Sequence, residues 1–437
     1  MELDLSKIKK VFFVGIGGIG ISAIARMLLL EGKEVSGSDL SDNEVTHELR
    51  ELGISITLGQ SFDLIPTDAD LIVYTIAIEY YDPEFFKKIK SCGIPAFSYP
   101  EMLHVVTNNK YTIAVSGTHG KTTTTGMIAH ILRENKMDPT VVIGSLLIGE
   151  KTNFIAGQSK YFVVEACEYR RSFLNINPSI LVITNIEADH LDYYKDIDDI
   201  KNAFHELAMK VPESGFVICD TSDENVKEVV NGIKAKVIDY TPFVEKEELL
   251  TVPGKHNRLN GGAALAVCST LEMSEVESGK SLASFKGTWR RLEKKGVTGA
   301  GTVVYDDYAH HPTEIKASLQ ALREIYPKGS KKITVLFQPH LYSRTKALFK
   351  EFSESFGLAD EVLLLPIYFA REAPDPEVSS GILADAIVET GQSAIAFDTF
   401  ELAEAYVSGL SLSKEDIFVT MGAGEAYKVA EKCFKLV

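Results

Sequence analysis

Apolar segments of strand length alternate with amphipathic segments of helix length along nearly the whole chain. This alternation is typical of parallel β-sheets whose connecting helices cover the faces of each sheet. The chain has 437 residues, which is more than a single hydrophobic core ordinarily serves. We therefore predict an α/β protein with two or three domains.

Two polar segments, at residues 107–110 and 285–288, are the predicted domain boundaries. Residues 1–107 are predicted to form a Rossmann-like domain, residues 108–286 a central ATPase-like domain, and residues 287–437 a second Rossmann-like domain. The strands predicted in these domains are, in chain order, Val11–Val14, Glu34–Gly37, Leu71–Thr75, Tyr111–Val115, Tyr161–Val164, Ile180–Thr184, Phe216–Cys219, Thr302–Tyr305, Ile333–Phe337, Glu361–Leu365, Ala394–Phe397 and Ile417–Met421.

A glycine-containing loop, Ser116–Thr124, lies between the predicted strand Tyr111–Val115 and a predicted helix, Thr122–Glu134. Its glycines allow backbone N–H groups to surround phosphate oxygens, Lys121 brings a positive charge, and hydroxyl groups at the helix start can reach magnesium. Val115 stands where the strict phosphate-loop pattern has its first glycine, so the loop is a variant of that pattern. ATP is therefore the first ligand that we predict.

A second glycine-rich turn, Gly15–Gly20, follows the first predicted strand and opens a helix, and Asp39 ends the next strand. This spacing is typical of the dinucleotide-binding fingerprint. We expect the turn to bind a nucleotide diphosphate. The pattern leaves the nucleotide open, because NAD and a UDP-sugar both present a pyrophosphate to a helix N-terminus.

Acidic residues follow two strands of the predicted central domain. Glu165 and Glu168 lie at the end of one strand, and Glu165 is placed where a magnesium ligand would be needed. After the next strand, His190 lies between Asp189 and Asp192. These residues favour a second metal or phosphate contact, although a lone histidine is more often structural.

Three further clusters of polar residues begin helices or end strands. His256, Asn257 and Asn260 start a helix, where capping by Asn257 competes evenly with recognition of adenine. Residues 306–312 and 338–345 each end a strand of the last domain and contain three of the ten histidines between them. Because the carboxyl ends of parallel strands meet at one edge, we expect these two clusters to face one crevice.

The composition limits the classes of partner. The net charge of −16 argues against general binding of nucleic acids or membrane surfaces, so anionic substrates require local cationic sites. Lys121, Arg290, Arg291 and Arg344 are the candidates. Five widely spaced cysteines fit a reducing cytoplasm, and the N-terminal segment resembles neither a signal peptide nor a membrane helix. We expect a cytoplasmic monomer or homodimer.

Taken together, the motifs resemble those of the Mur ligases, the ATP-dependent amide-forming enzymes of peptidoglycan precursor synthesis. The resemblance covers essentially the whole chain. In order, the matching motifs are G-I-G-G-I-G at 15–20, G-T-H-G-K-T-T-T at 117–124, E-A-C-E-Y-R-R-S-F at 165–173, T-N-I-E-A-D-H at 184–190, P-G-K-H-N at 253–257, R-R at 290–291, D-D-Y-A-H-H-P at 306–312, F-Q-P-H-L-Y-S-R-T at 337–345 and M-G-A-G at 421–424.

Within the family, the residues resemble most the member that joins L-alanine to the lactyl carboxylate of UDP-N-acetylmuramate. The resemblance implies an acyl-phosphate intermediate, with ADP and phosphate as products, and Mg²⁺ or Mn²⁺ as the cofactor. The residues implied to bind the UDP-sugar are Gly15, Gly17, Gly18, Ile19, Gly20, Asp39 and Thr75. Those implied to bind ATP are Gly117, Thr118, His119, Gly120, Lys121, Thr122, Thr123, His256, Asn257, Asn260, Arg290 and Asp307.

The same resemblance implies the metal ligands and the residues of the reacting end. The implied metal ligands are Thr122, Glu165 and His190. L-alanine would be bound by Tyr308, His340 and Arg344. The residues implied to take part in catalysis are Lys121, Glu165, His190, His310 and Arg344.

The chain departs from the family pattern at four places. The stretch between His190 and Pro253 is shorter than the family leads us to expect, so we expect some strands usual in the central domain to be missing. Cys167 stands where relatives commonly have aspartate, and Thr75 and Ile76 replace a pair that contains serine. Leu341 stands where many members carry arginine, which leaves Arg344 more of the binding of the amino-acid carboxylate.

Three other functions are weighed against this one. A sibling ligase attaches a recycled murein tripeptide to the same UDP-sugar, but Tyr308, Glu314 and the compact E-Y-R-R-S-F segment at 168–173 favour a single amino acid. A nicotinamide-dependent dehydrogenase would use the first glycine-rich turn and leave Lys121 and Glu165 without a role. A catalytically silent nucleotide-binding scaffold is disfavoured because all the expected phosphate and metal groups are present.

Overall fold

A computed structural model of the chain describes residues 3–148, 152–246, 250–369 and 372–437. The chain divides into two compact units, the first made of Met1–Leu249 and Asn260–Ala283 and the second of Leu250–Leu259 and Ser284–Val437. The first unit contains two β-sheets and the second contains one. The predicted α/β class with three layered sheets is confirmed, whereas the exact bounds of three domains stay a prediction.

The first sheet has five parallel strands in the order β3-β2-β1-β4-β5. Its strands are β1 (Lys10–Val14), β2 (Glu34–Asp39), β3 (Ser55–Leu58), β4 (Leu71–Tyr74) and β5 (Ala96–Ser98). Its helices are α1 (Ile19–Leu30), α2 (Glu44–Glu51), α3 (Ile78–Tyr81), α4 (Pro83–Ser91) and α5 (Tyr99–Thr107). The strand order reverses between β1 and β4, which places a ligand crevice at their carboxyl ends.

The second sheet has seven strands in the order β12-β11-β10-β6-β9-β7-β8. They are β6 (Tyr111–Ser116), β7 (Thr140–Val142), β8 (Phe154–Ile155), β9 (Tyr161–Glu165), β10 (Ile180–Ile183), β11 (Phe216–Cys219) and β12 (Lys236–Asp239). All neighbours are parallel except β7 and β8. The helices that follow are α6 (Lys121–Glu134), α7 (Ile197–Met209), α8 (Glu224–Val229), α9 (Lys255–Thr270) and α10 (Glu275–Ala283). The central position of β6 between β10 and β9 is again a reversal point.

The third sheet has six strands in the order β13-β14-β18-β15-β16-β17, parallel except for β13. Its strands are β13 (Glu293–Val297), β14 (Val303–Asp307), β15 (Lys332–Phe337), β16 (Glu361–Leu364), β17 (Ala394–Ala396) and β18 (Asp416–Met421). Its helices are α11 (Pro312–Ile325), α12 (Tyr342–Ala347), α13 (Phe349–Ser353), α14 (Ser380–Glu389), α15 (Phe400–Ser408) and α16 (Ala426–Cys433).

The strands predicted from the sequence are all present, each within one or two residues of its predicted bounds. The strands that the sequence did not predict are β3, β5, β7, β8, β12 and β13. They are two to five residues long, and most contain polar or exposed positions, so they lack the continuous apolar run of a central strand. Among the described residues, no helix combines the length and apolar character that a membrane crossing requires.

A buried arginine joins three segments of the second unit. Arg323 on α11 is only 8% exposed, and its Nε and Nη1 donate to the carbonyl oxygens of Leu358 and Lys331, both at 2.9 Å. Its Nη2 lies 2.6 Å from Oδ2 of Asp360. The same carboxylate accepts the N–H of Ile333 at the start of β15. One guanidinium therefore forms hydrogen bonds with both loops that precede β15 and β16.

We predict that Arg323→Met lowers the free energy of unfolding of the second unit by about 2–3 kcal/mol, because two carbonyls and a carboxylate lose their partner. Trp289, the one tryptophan of the chain, lies in this unit and reports its unfolding by fluorescence in urea. The control is Lys346→Met, which removes exposed ion pairs with Asp375 and Glu377 and should cost less than about 1 kcal/mol. Equal losses of unfolding free energy in the two variants would contradict the structural role assigned to Arg323.

Candidate active site

The backbone of the phosphate loop requires glycine at two positions. β6 ends at Ser116 and α6 begins at Lys121. Gly117 has φ +136° and Gly120 has φ +81°, values that other residues rarely adopt. A Cβ atom on Gly117 would lie 2.0 Å from Oγ1 of Thr184. A Cβ atom on Gly120 would lie 2.4 Å from Oδ1 of Asn260, which places this predicted ATP-binding residue directly against the loop.

The segment after β10 holds the loop in place. Thr184 donates its hydroxyl to the carbonyl oxygen of His119 at 2.5 Å, and the N–H of His119 donates to Oδ1 of Asn185 at 2.9 Å. The N–H of Thr118 donates to the carbonyl of Asn185 at 3.0 Å. Glu187 then donates its N–H to the hydroxyl of Thr118 at 2.9 Å. This part of the T-N-I-E-A-D-H motif therefore shapes the loop from the neighbouring strand.

Lys121 is paired with Glu168, a carboxylate to which the sequence assigned no role. Its Nζ lies 2.9 Å from Oε2 of Glu168 and donates to the carbonyls of Gly117 and Thr118 at 2.6 and 3.0 Å. Burial is the largest effect on the pKa of Lys121 and lowers it, but the charge of Glu168 together with smaller contributions from its neighbours leaves the pKa above its usual value. Burial likewise raises the pKa of Glu168, and Lys121, His190 and backbone hydrogen bonding together leave it below its usual value. The pair is ionised at neutral pH.

Thr122 and Glu165 form an oxygen pair of the kind that magnesium prefers. The hydroxyl of Thr122 lies 3.1 Å from Oε1 of Glu165, at the carboxyl ends of two neighbouring strands. The other oxygen, Oε2, accepts the N–H of Gly144 at 2.8 Å. Thr123, also predicted to contact ATP, is buried in the first turn of α6. A hard-oxygen donor set beside a phosphate loop fits Mg²⁺.

His190 lies close to the same group of charges. Its backbone is left-handed, with φ +54°, and its N–H donates to Oδ1 of Asp189 at 2.7 Å. Nε2 of His190 lies 3.6 Å from Oε1 of Glu168, and its ring centre lies 4.7 Å from that of Tyr169. Glu168 therefore contacts both Lys121 and His190, which joins three residues that are far apart in sequence.

The turn after β1 is shaped by the aspartate that ends β2. The N–H of Gly17 donates to Oδ2 of Asp39 at 2.8 Å, and the N–H of Ser41 donates to Oδ1 at 3.0 Å. Gly15 has φ +76°, and a Cβ atom there would lie 2.5 Å from Cγ2 of Thr75 after β4. In this structure Asp39 holds the glycine turn through the N–H of Gly17, and this contact fixes the shape of the turn.

The first turn of α1 is held from two sides. Gly18 precedes the helix, Ile19 begins it, and a Cβ atom on Gly20 would lie 2.6 Å from the ring of Tyr99. Asn153, which is 1% exposed, donates its amide to the carbonyl of Ile19 and to the hydroxyl of Ser22. Asn153 comes from the segment before β8, so the second sheet fixes the helix end that belongs to the first. The sequence carried no signal for this contact.

His256 and Asn257 lie in the second unit. The amide of Asn257 donates to the carbonyl of Pro253 at 2.7 Å, and Asn257 is buried. Burial lowers the pKa of His256 to about 4, against the opposing charges of Glu314 and Glu324 on α11. The imidazole is therefore neutral near pH 7.

Asp307, one of the residues implied to bind ATP, is buried at the carboxyl end of β14. It accepts hydrogen bonds from the hydroxyl of Ser318 and from the N–H of Ala309 at 3.2 Å. Burial raises the pKa of Asp307 to about 6, and the donor Ser318 and the charge of Arg291 limit the rise. A large part of this carboxyl group is thus protonated in mildly acidic solution.

Arg290 and Arg291 are placed differently. Arg290 is buried, and its guanidinium donates to Oδ2 of Asp306 at 2.8 Å and to the carbonyls of Gly422 and Gly424 at 2.7 and 3.0 Å. It therefore joins the carboxyl ends of β14 and β18. Its direct contact with ATP stays a prediction. The guanidinium of Arg291 lies 4.8 Å from the centre of the Tyr308 ring.

The two polar clusters of the last domain do meet. The ring centres of His310 and Tyr308 are 5.3 Å apart, and those of His310 and His340 are 6.1 Å apart. Nη1 of Arg344 lies 3.4 Å from Nδ1 of His340. Burial lowers the pKa of His340 to about 4, and the charge of Arg344 adds to the effect. Leu341 has φ +71°, an uncommon value that turns the chain into α12.

Domain models of one family match three consecutive parts of the chain. The Mur ligase family catalytic domain matches residues 10–111, the Mur ligase middle domain matches residues 115–249, and the glutamate ligase domain of Mur ligases matches residues 290–424. Together they cover well over half of the sequence. The chain belongs to the Mur ligase family. The resemblance inferred from the motifs is thereby confirmed.

Relatives of this Mur ligase match it over almost their whole length. It is 41% identical to a UDP-N-acetylmuramate–L-alanine ligase of Clostridium kluyveri, over 99% of both chains. It is 42% identical to a protein of the same name from Acetivibrio thermocellus, over 99% of this chain and 97% of the other. Its fold is similar to that of a UDP-N-acetylmuramate-alanine ligase from Thermotoga maritima, with a TM-score of 0.79, 28% identity, and 97% and 98% of the two chains covered.

We predict that Gly117→Ala weakens the binding of ATP to this Mur ligase by roughly 10- to 100-fold, because the added Cβ atom forces the loop away from Thr184. The matched control is Gly232→Ala, which places alanine at a similarly left-handed residue of the same unit, φ +78°, with open space around it. That variant should lose about 1 kcal/mol of stability and keep its ATP affinity. Calorimetric titration with ATP measures both, and indistinguishable affinities would count against the role of Gly117.

We predict a stability effect of Asp307 that depends on pH. Its folded pKa, about 6, exceeds the unfolded value near 4, so its favourable contribution is complete below pH 4 and is lost as the pH rises through 6. From pH 5 to pH 7.5 the native protein should lose about 1.4 kcal/mol from this group. In Asp307→Asn this loss should be absent, so the difference in urea stability between the variant and the native chain should change by that amount. A difference independent of pH would refute the raised pKa.

Proposed function

We propose that this Mur ligase joins L-alanine to the lactyl carboxylate of UDP-N-acetylmuramate at the expense of ATP. The acid attacks the γ-phosphate of ATP to give ADP and an acyl phosphate, and the neutral amine of alanine then displaces phosphate. The observation that carries the proposal is that one compact unit holds a phosphate loop with a paired lysine and a separate glycine turn of the diphosphate-binding type. The full-length relatives named above support the choice of substrates.

The ATP phosphates would be bound by the loop after β6. Its backbone N–H groups and the charge of Lys121 suit the phosphates, and Gly117, Thr118, His119, Gly120, Thr122 and Thr123 complete the set. Thr122 and Glu165 fit one Mg²⁺, and His190 fits the neighbourhood of a second ion. When bound, the ions offset the negative charge that develops on the transferred phosphoryl group.

Lys121 has two separate tasks in this proposal. Without nucleotide its charge is balanced by Glu168, which prevents a lone buried cation. With ATP its ammonium would turn toward the phosphates, whose charge competes with that carboxylate. The loop is therefore held in its working shape before the nucleotide arrives, which lowers the entropic cost of binding.

The UDP-sugar would be bound at the crevice between β1 and β4. The diphosphate suits the start of α1, where Ile19 and Gly20 form the first turn and Gly17 and Gly18 lead into it. The N–H groups of Gly17 and Gly18 donate to Asp39 and to the carbonyl of Gly15, so they shape the turn. Asp39 and Thr75 would act through that shape, since Thr75 lies against Gly15.

The amino acid would be bound by residues of the second unit. Arg344 suits the carboxylate of alanine, and Tyr308, His310 and His340 surround the amine. The low pKa of His340 keeps its ring uncharged at neutral pH, so it does not repel the incoming amine. His256, Asn257, Arg290 and Asp307 would contribute to the adenosine part of ATP, and Asn260 would support the loop at Gly120.

The remaining assignments complete the proposal. We assign residues 1–107 to the UDP-sugar, residues 108–286 to ATP and residues 287–437 to the amino acid. The enzyme would act in the cytoplasm as a monomer or homodimer on small-molecule substrates, with no nucleic-acid or membrane partner. The high negative net charge agrees with the last point.

We predict that ¹⁸O placed in the lactyl carboxylate of UDP-N-acetylmuramate appears in the inorganic phosphate released with ATP and L-alanine. The acid oxygen that attacks the γ-phosphate leaves with that phosphate when the amine displaces it. Mass spectrometry of the phosphate measures the transfer. Alanine-dependent turnover without label in the phosphate would exclude an acyl phosphate, and faster turnover with murein tripeptide would favour the sibling activity.

The matched variants for this experiment are Lys121→Met and Lys160→Met. Loss of the Lys121 charge should reduce phosphate release by at least about 1,000-fold and leave UDP-sugar affinity nearly unchanged, because the two sites lie on different sheets. Lys160 precedes β9 at the amino end of the same sheet and should be dispensable. Equal loss of both activities in Lys121→Met would contradict the assignment of the two sites.

A further inference from the structure

Arg170 is a cation that lies among tyrosine rings. Its guanidinium carbon is 3.4 Å from the ring centre of Tyr80 and 5.4 and 5.6 Å from those of Tyr169 and Tyr193. These three rings form what we term the tyrosine cage. No carboxylate of the described ranges lies within ion-pair distance of Arg170. The rings stabilise the charge and orient the guanidinium plane without neutralising it.

The neighbouring residue shows that this situation is particular to Arg170. Arg170 and Arg171 both have left-handed backbone conformations, with φ +53° and +56°. Neither value occurs in a right-handed helix, so the helical turn is interrupted at these two residues. Arg171 is fully paired, with Nη2 2.6 Å from Asp199 and Nη1 2.9 Å from Glu206 on α7. The strained turn thus directs one guanidinium to a structural ion pair and the other to α3. Strain of this kind is retained mainly where function requires it.

The tyrosine cage lies beside the crevice proposed for the UDP-sugar. Tyr80 belongs to α3, which begins three residues after Thr75 at the carboxyl end of β4. It is about half exposed, as is its neighbour Tyr81. Arg170 itself is partly exposed.

The other side of the cage contacts His190. The ring of Tyr169 lies 4.7 Å from that of His190. Glu168, two residues before Arg170, lies 2.9 Å from the ammonium of Lys121. The segment that carries Arg170 therefore joins α3, which follows β4, to the carboxylate that pairs with the lysine of the phosphate loop. In a chain with net charge −16, an arginine with no carboxylate of the described ranges at ion-pair distance favours an anionic ligand.

We propose that Arg170 binds the carboxylate of the acid substrate and orients it toward the γ-phosphate of ATP. This assignment deepens the proposed function and rests on it. A carboxylate matches the forked donors of a guanidinium, whereas the diphosphate is expected at the start of α1. Fixing the angle of the attacking oxygen favours the in-line geometry that phosphoryl transfer requires. The sequence resemblance did not include Arg170 among the binding residues.

The test compares two ligands that differ in the acid. UDP-N-acetylmuramate and UDP-N-acetylglucosamine share the nucleotide, the diphosphate and the amino sugar, and only the first carries the lactyl carboxylate. In Arg170→Met we expect affinity for the first to fall by about 10- to 100-fold and affinity for the second to change less than about 2-fold. Arg170→Lys, which keeps the charge but not the fork, should lie between. The KM for ATP should stay unchanged.

The matched controls separate this role from a structural one. Arg171→Met removes the neighbouring guanidinium and its ion pairs, so it should lower the melting temperature and leave the ratio of the two affinities unchanged. Tyr80→Leu removes the principal ring of the cage and should weaken the muramic ligand selectively, by roughly 3- to 10-fold. Circular dichroism checks that each variant is folded.

The experiment distinguishes failure of the Arg170 assignment from failure of the proposed function. Equal weakening of both ligands, or no weakening of either, in folded Arg170→Met and Arg170→Lys overturns the carboxylate assignment. Failure of the proposed function would show itself in the native enzyme instead, as an absence of alanine-dependent phosphate release from UDP-N-acetylmuramate. In that case the assignment of Arg170 falls with it.

Discussion

Lys121 is a cation in a buried position, and the arrangement of the first unit follows from the need to balance its charge. The ammonium is bound by Glu168 and by two carbonyls of its own loop. Neither charge would be tolerated there alone, because the loss of hydration is repaid only by the partner. The pair fixes the end of β9 beside the end of β6. It also brings His190 within reach of the same carboxylate.

The same arrangement of residues recurs at the edge of each of the three sheets. In each, polar residues follow the carboxyl ends of parallel strands, where the helices on either side diverge and leave a crevice. In the first sheet the crevice contains a glycine turn held by Asp39. In the second it contains the loop held by Thr184 and Asn185. In the third, Arg290 joins the ends of β14 and β18, next to the segment that carries Asp307, Tyr308 and His310. Division of the chemistry among separate crevices suits an enzyme with three substrates.

Most of the central strands could be predicted from the sequence, since buried parallel strands are continuous apolar runs. The short strands could not. β3 and β12 have exposed positions, and β8 has two residues, so their pairing depends on neighbours that are distant in sequence. Among site residues, the glycine turns and Lys121 were predictable because their backbone chemistry is local. Glu168 and Arg170 were noted only as parts of a motif and Asn153 not at all, because their importance comes from partners 47, 90 and 131 positions away.

The sequence by itself determined the α/β class, the positions of the two glycine-containing turns and the family, because each depends on residues that are close together in the chain. The tertiary structure decided how charges are shared. Asp39 and Arg290 are bonded to backbone groups, Glu168 contacts both Lys121 and His190, and Arg170 has tyrosine rings in place of a carboxylate. These outcomes depend on which side chains meet when three sheets are assembled. Between charged groups that are close together and poorly hydrated, the electrostatic energy changes strongly with the distance between them. No pattern in the sequence encodes that distance.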